Sequence, residues 1–326
     1  MSGKFISVII PAHNAEKTII KCAESLMGLD YPDYEVIIVN DGSTDGTAAA
    51  LKDFEGSERL KVLNQEKSGP SVARNRAIMQ AKGDFIAFTD ADCKVDKNWL
   101  NELLKGFEVA NPYRIMGAGG DQLSPEDDTD FGKQLNDFLR NIGFLSDYIK
   151  TSTGTPSITA TEHNPTCNAM YRKEVFDKVG YFQEDLWPGE DVELDYRIKK
   201  SGFQLMFNPA AIVYHYRPEN ASKYRKMMFR YGNVQALLVR KYGFFRKIQY
   251  VPFILIFLIL TLMLASIVSL LSVIELLALQ LFLFAVSFYI NTKNAKKAPV
   301  YLYLFVQTIL AWNAGFAAGI FSKKKI

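Results

Sequence analysis

The chain has 326 residues, enough for one large domain and further parts, and a net charge of only +3. That near balance hides a division: residues 1–220 carry 24 Lys and Arg against 34 Asp and Glu, whereas residues 221–326 carry 14 against one acid, Glu275. The split excludes a single uniform globule, and the apolar character of the basic part argues against nucleic acid as its partner.

In chain order, residues 5–10 read as a buried strand closed by Pro11. Ile19, Ala23, Leu26 and Met27 at helical spacing predict a helix over 15–27. Residues 35–39 form the next strand, and Asp45 would cap a helix over 45–54. A short strand over 60–63 leads to a helix that Pro70 opens and that runs to Ala81. Residues 85–89 are a strand and 97–110 a helix. This alternation predicts an α/β fold with a mostly parallel sheet covered on both faces. Ligands in such sheets bind beyond the carboxyl ends of the strands. Residues 121–130 read as an acidic loop, 131–149 as an amphipathic helix and 151–166 as a loop rich in Ser, Thr and Pro. A helix over 191–201, ended by Gly202, precedes a strand over 204–216.

The last third reads as a membrane anchor over 248–326. Residues 251–290 contain one charge, Glu275. As helix they would extend roughly 60 Å, two crossings of a core about 30 Å thick, with Glu275 at the turn of a hairpin. A second uncharged run, 299–321, either spans or is re-entrant. Residues 221–247 interleave eight Lys and Arg with apolar and aromatic side chains, as in a segment lying at a membrane surface. These bases, with Lys293, Lys296 and Lys297, favour a multi-pass protein whose part over 1–220 faces the cytoplasm. The Lys323–Lys325 tail does not fit that rule if 299–321 crosses once. Cys22, Cys93 and Cys167 show no metal or disulfide spacing, which suits a reduced compartment. Met1 to Lys4 lead directly into the first strand, so no leader is expected.

Chemistry gathers after the strands. Asp90 and Asp92 follow the apolar run 85–88, where a loop lets both carboxylates converge. A hard divalent cation, Mg2+ or Mn2+, takes such oxygen ligands together with substrate phosphates. Asp41 lies in N-D-G-S-T-D (40–45), which suits either a ligand contact or an Asx turn that caps a helix. Glu190 and Asp191 open a helix, where negative charge is stabilising; they are also a carboxylate pair able to do acid–base work.

The strings S-V-I-I-P-A-H-N (7–14), V-N-D-G-S-T-D (39–45), G-P-S-V-A-R-N-R-A (69–77), D-A-D (90–92), C-N-A-M-Y-R-K-E-V-F (167–176) and the 179–202 stretch occur in this order. Together they resemble family 2 glycosyltransferases of the GT-A fold. The resemblance covers roughly residues 5–216 and implies a Rossmann-like nucleotide-diphospho-sugar transferase domain at 1–220. The expected activity is inverting transfer of a sugar from a nucleotide-sugar, commonly UDP-linked. It implies that Pro11, Ala12, Asn14 and Glu16 line the nucleotide, that Asp41 contacts the base, and that Ser68 and Arg74 flank base and ribose. It further implies that Asp90 reaches the ribose, Asp92 holds the metal and Asp191 is the base, with Glu190 beside it. His215 is a candidate further metal ligand and Trp187 a candidate platform for an acceptor sugar. His13 stands where the family often has an aromatic, which leaves the base preference open.

The membrane anchor points to a lipid-linked or glycan acceptor. A polyprenyl-phosphate sugar synthase is the nearest alternative; its acceptor is already anionic and needs no base. The Q-x-x-R-W string of processive synthases does not occur. A scaffold that binds nucleotide-sugar without turning it over is the alternative of another class.

Overall fold

A computed structural model describes residues 3–54, 56–109, 111–144, 157–268, 274–278, 280–282, 286, 297–324 and 326. The chain divides into two compact units, residues 1–217 and 218–326.

The first unit is a nine-stranded sheet. Its strands are β1 (Ile6–Ala12), β2 (Tyr34–Asp41), β3 (Leu60–Gln65), β4 (Phe85–Phe88), β5 (Cys93–Val95), β6 (Ile115–Leu123), β7 (Thr159–Thr161), β8 (Ala169–Arg172) and β9 (Gln204–His215). They lie in the order β3-β2-β1-β4-β8-β6-β9-β5, and β7 also pairs with β9. The first four are parallel; β8 runs antiparallel to β4 and β6, and β6 runs parallel to β9. The helices are α1 (Ile19–Met27), α2 (Thr47–Leu51), α3 (Pro70–Gln80), α4 (Trp99–Lys105), α5 (Asp130–Asn141), α6 (Glu174–Val179) and α7 (Glu190–Lys200).

Strand residues alternate between faces, and here both faces are covered, so the strands are apolar throughout. Val8, Ile10, Val36, Ile38, Phe85 and Ala87 pack on one side with Ile19, Ala23 and Leu26 of α1 and Trp99, Leu100 and Leu103 of α4. Ile9, Ile37, Val39, Ile86 and Phe88 pack on the other with Ala73 and Ala77 of α3, Phe176 of α6, and Leu194 and Ile198 of α7. Each large side chain so buried contributes about 1.5–3 kcal/mol.

Several boundaries differ from the sequence reading, each for a physical reason. β1 continues through Pro11 to Ala12, paired with β2. Ile9 directs its carbonyl to Thr89, so residues 9 and 11 turn their backbone groups toward β4, whose ladder stops at Phe88. The N–H that proline lacks would have had no strand partner there. The predicted helix 45–54 is helical only from Thr47; Asp45 caps it from two residues ahead, accepting the Thr47 N–H at 3.0 Å. The helix expected over 97–110 is shorter, Trp99–Lys105. Residues 121–123 are strand and not loop, because β6 resumes pairing with β9 after a register shift at Gly120/Asp121. Arg140 of α5 offsets the buried Asp121 charge at 2.6 Å. The end of the predicted helix 131–149 and the first part of the 151–166 loop lie outside the described residues.

The second unit comprises α8 (Ala221–Tyr242), α9 (Val251–Val268) and α10 (Lys297–Ile320). Asn220 caps α8 by accepting the Lys223 N–H at 3.0 Å. The apolar face of α8 that the sequence offers to a membrane surface is covered by α10. Gly232 sits against the carbonyl of Trp312, and Gly315 against that of Phe229. Tyr224 hydrogen-bonds Thr308 in the same seam. Glu275, where the sequence places a hairpin turn, lies in a helical stretch, 274–278, and much of the rest of that expected hairpin lies outside the described residues. Among the described residues, α10 is the one helix long and apolar enough to cross a membrane.

Candidate active site

The carboxyl ends of β1, β2 and β4 form one rim. Asn14, at φ 53°, uses its left-handed turn to cross from β1 toward the loop after β2. Its Oδ1 accepts the Thr44 N–H at 2.8 Å, its own N–H donates to Ser43 Oγ at 3.1 Å, and Ala15 N–H donates to Thr47 Oγ1 at 2.8 Å. Glu16 accepts the Gly46 N–H at 2.7 Å, and so braces the start of α2. His13 donates from Nδ1 to the Asp41 carbonyl at 2.8 Å. The 13–16 and 41–47 loops are thus tied together, with Pro11 and Ala12 at the strand end behind them.

Asp41, expected at the base, is buried and directed inward. Oδ1 accepts Gln65 Nε2 at 2.8 Å and Ser68 N–H at 2.7 Å, and Oδ2 accepts Gly69 N–H at 2.9 Å. The carboxylate therefore shapes the turn that launches α3. Gly42, at φ 60°, presses against the Lys67 backbone, an approach that a Cβ would block. Ser68 turns its hydroxyl to the Glu66 carbonyl at 2.8 Å.

Arg74, expected beside base and ribose, is buried at 2% exposure and joins the two carboxylate pairs. Nη1 donates to Glu190 at 2.6 Å and Nη2 to Asp90 at 2.7 Å. Among the described residues, Arg74 Nε and Glu190 Oε2 are buried polar atoms with no hydrogen-bond partner. Burial and neighbouring Asp191 push Glu190 up to about 7, against the pull of Arg74. Burial, with Asp92 adding to it, likewise raises Asp90 against Arg74. Burial would also raise Asp92, but His215 and Arg217 outweigh it and hold Asp92 below the usual carboxylate range. The two acids of the D-A-D are thereby separated, with Asp92 the one held charged.

Asp92 is about half exposed, and His215 Nε2 lies 3.4 Å from its Oδ1. The juxtaposition comes from β5 pairing antiparallel with β9, which sets Cys93 opposite His215. One ligand atom each from Asp92, Cys93 and His215 falls within 4.8 Å of the others. Burial and Arg217 oppose a charged His215, Asp92 favours it, and the balance stands at about 10. The contact geometry points the other way: Arg217 Nη1 lies 3.0 Å from Nδ1 and has only protons to offer. A lone pair on Nδ1 is required, so the neutral ring with its proton on Nε2 fits the geometry. Arg217 is itself held by Gln122 and Asn136, both at 2.8 Å.

Asp191 stands at the start of α7 after Gly189, whose φ is 97°. Its Oδ2 accepts the Thr166 N–H at 3.3 Å, and its side chain is 17% exposed. His163 Nε2 lies 3.9 Å away, and His163 Nδ1 lies 2.8 Å from Asp195, one turn further along α7. Trp187, about half exposed, precedes the helix across Pro188. Arg197, which the sequence offers to an acid or a phosphate, pairs with an acid, Glu193, at 2.7 Å and braces the carbonyls of residues 179–181. Asn168 of the C-N-A-M-Y-R string clamps the sheet, donating to the carbonyls of Asp121 and Ala211 and accepting from Trp99. His163, Asp195 and Arg217 escaped the sequence reading. His163 and Arg217 lie in no patterned string and Asp195 is not singled out within the 179–202 stretch; the strand pairing and the packing of α7 bring them to the site.

The sequence model "Glycosyl transferase family 2" matches residues 7–180. A Methanococcus voltae protein named "Dolichyl N-acetyl-alpha-D-glucosaminyl phosphate 3-beta-D-2,3-diacetamido-2,3-dideoxy-beta-D-glucuronosyltransferase" is 26% identical over 84% of this chain and 85% of its own length. "Glycosyltransferase AglE" of Haloferax volcanii is 30% identical over 71% of this chain and 73% of its own. Among solved structures, the "Mannosyltransferase PcManGT from Pyrobaculum calidifontis in complex with GDP-Man and Mn2+" superposes with a TM-score of 0.70. That match has 16% identity and covers 98% of this chain and 88% of the other. With the six strings now placed around one rim of a mixed, mostly parallel sheet, the chain belongs to glycosyl transferase family 2 and is a glycosyltransferase of the GT-A fold.

Proposed function

We propose that the chain moves a sugar, with inversion, from a nucleotide-sugar to a hydroxyl of a membrane-associated, lipid-linked acceptor. One observation carries this reading. Arg74 ties the Asp90–Asp92 pair to the Glu190–Asp191 pair, which sets a phosphate-side acidic centre next to a candidate base. A relative named for a dolichyl-phosphate-linked substrate supports the lipid-linked acceptor. A fold neighbour holding GDP-Man and Mn2+ supports a nucleotide-sugar donor and a divalent cation, and sets GDP-sugars beside UDP-sugars among the donors to try.

Asp92 would hold the cation. Its half-exposed carboxylate suits Mn2+ or Mg2+, and His215, with Nδ1 turned to Arg217 and its proton on Nε2, would join as a ligand only by giving up that proton. Bound there, the cation would neutralise charge on the departing diphosphate. Pro11, Ala12, Asn14 and Ser68 border the rim where the nucleotide lies, braced from behind by Asp41 and Glu16. Arg74 fixes Asp90 toward the ribose. Asp191 takes the proton from the acceptor hydroxyl as that oxygen attacks the sugar carbon. Glu190, with its raised pKa, retains a proton more readily than an ordinary carboxylate, and Trp187 offers a face to an acceptor ring. The anchor over 248–326 would hold the enzyme at a membrane, with the catalytic part on the cytoplasmic side.

The test is release of nucleoside diphosphate by detergent-solubilised full-length protein. UDP- and GDP-sugars are supplied with native lipid extract and Mn2+ or Mg2+. Chelator and Asp92→Ala are each expected to abolish release, and Asp191→Asn to lower it at least a hundredfold, roughly the low end of general-base contributions. Full activity in Asp191→Asn would move the reading to a phosphate acceptor. Donor binding without turnover in any extract would move it to a binding scaffold.

A further inference from the structure

We propose that His163 is a positioning residue for Asp191, held by Asp195 with its Nε2 lone pair toward Asp191, where it receives the proton taken from the acceptor. The inference deepens the reading of Asp191 as base and rests on it. Asp191 and Asp195 are four residues apart, so they share one face of α7. The segment 163–166 lies along that face: Asn164 N–H donates to Asp195 Oδ2 at 2.8 Å and Thr166 N–H to Asp191 Oδ2 at 3.3 Å. Asp195 is fully buried and also accepts the Tyr171 hydroxyl at 2.8 Å. With those donors already in place, Asp195 is an acceptor toward His163 Nδ1 at 2.8 Å, so the neutral ring carries its proton on Nδ1. Nε2 is then the basic atom, 3.9 Å from Asp191 Oδ2.

The balance is simple. The acceptor O–H bond breaks as the new oxygen–carbon bond forms, and the sugar–diphosphate bond breaks with its electron pair left on the diphosphate. The proton passes from Asp191 Oδ2 to His163 Nε2, which gives an imidazolium between two carboxylates. Burial raises Asp195, while His163, Asn164 and Tyr171 oppose that shift. Among the described residues, ionisable groups set against His163 include Asp191 and Asp195 of α7, Tyr171 of β8 through Asp195, and the Glu162–Lys199 pair alongside.

Two measurements test this on the full chain. The protein has three histidines, so ring carbon–proton NMR signals can be assigned by single substitutions. Asp191→Asn and Asp195→Asn are each expected to lower the His163 titration midpoint by about half a pH unit or more. An unmoved midpoint in Asp191→Asn overturns the proposal. The second measurement uses the donor selected above. His163→Asn keeps an N–H for Asp195 but has no titrating nitrogen toward Asp191. We expect kcat to fall roughly tenfold to a hundredfold with donor KM unchanged, and the acid limb of kcat/KM to move to lower pH. His163→Gln, a second non-titrating variant should His163→Asn fail to fold, is expected to show the same shift of the acid limb. Wild-type rates, or lost activity with an unchanged pH profile, overturn it. If Asp191→Asn is fully active the base reading fails first; if Asp191→Asn is dead while His163→Asn is normal, the His163 inference fails alone.

Discussion

Arg74 is the residue on which the site's electrostatics turn. It bonds Glu190 across 116 residues of chain and Asp90 across 16, and the guanidinium is buried. Removing one partner of a buried ion pair leaves the other uncompensated, which costs about 3–5 kcal/mol. Arg74→Met is therefore expected to lower stability by that order at pH 8, and by less at pH 5, where the stranded acids can protonate; denaturant melts at both pH values give the comparison. Glu190 predicts a second pH effect. Its pKa in the fold, about 7, lies above its ordinary 4.5, so the fold binds the proton more tightly than the unfolded chain does. Its contribution is most favourable below about pH 4.5 and is lost as pH rises through 7, by at most roughly 3 kcal/mol. In Glu190→Gln the stability difference between pH 5 and pH 8 should shrink; an unchanged difference would assign the pH dependence to other groups.

Among the elements, the pairing of α8 with α10 depends on glycine. A side chain at Gly232 or Gly315 would meet a carbonyl of the facing helix, as close helix–helix approach through small residues requires. Gly315→Val should force the helices apart and cost about 1–3 kcal/mol, seen as a lower melting temperature in detergent. Melting like the native chain would mean that the seam tolerates bulk. The same seam shows where pattern reading stopped. Residues 221–247 carry bases and apolar residues in a pattern that suits a membrane surface as well as a neighbouring helix. Which of the two covers Tyr224, Met228 and Gly232 is a tertiary matter. At β6, likewise, acidic Asp121 suggested a loop, yet pairing with β9 and the charge of Arg140 keep it in the sheet.

At the scale of the molecule, charge and apolarity divide the chain more sharply than any single residue does. The basic last third contains α10, which at about 1.5 Å per residue is long enough for a bilayer core. Full-length protein should stay in the membrane pellet after both high salt and alkaline carbonate. Release by salt alone would show attachment by charge and not by insertion.

The α/β order, the parallel core strands and the acidic rim beyond them could be read from the sequence. Strand and helix periodicities are local, and buried parallel strands must be apolar on both faces. Asp92 and the Glu190–Asp191 pair were legible because they interrupt or open such elements. Tertiary structure alone decided that Asp41 turns inward, that Arg74 bridges two acids, that His215 meets Asp92 across β5 and β9, and that His163 lies between Asp191 and Asp195. Those outcomes depend on strand register and helix packing, which bring together side chains that no short-range pattern relates.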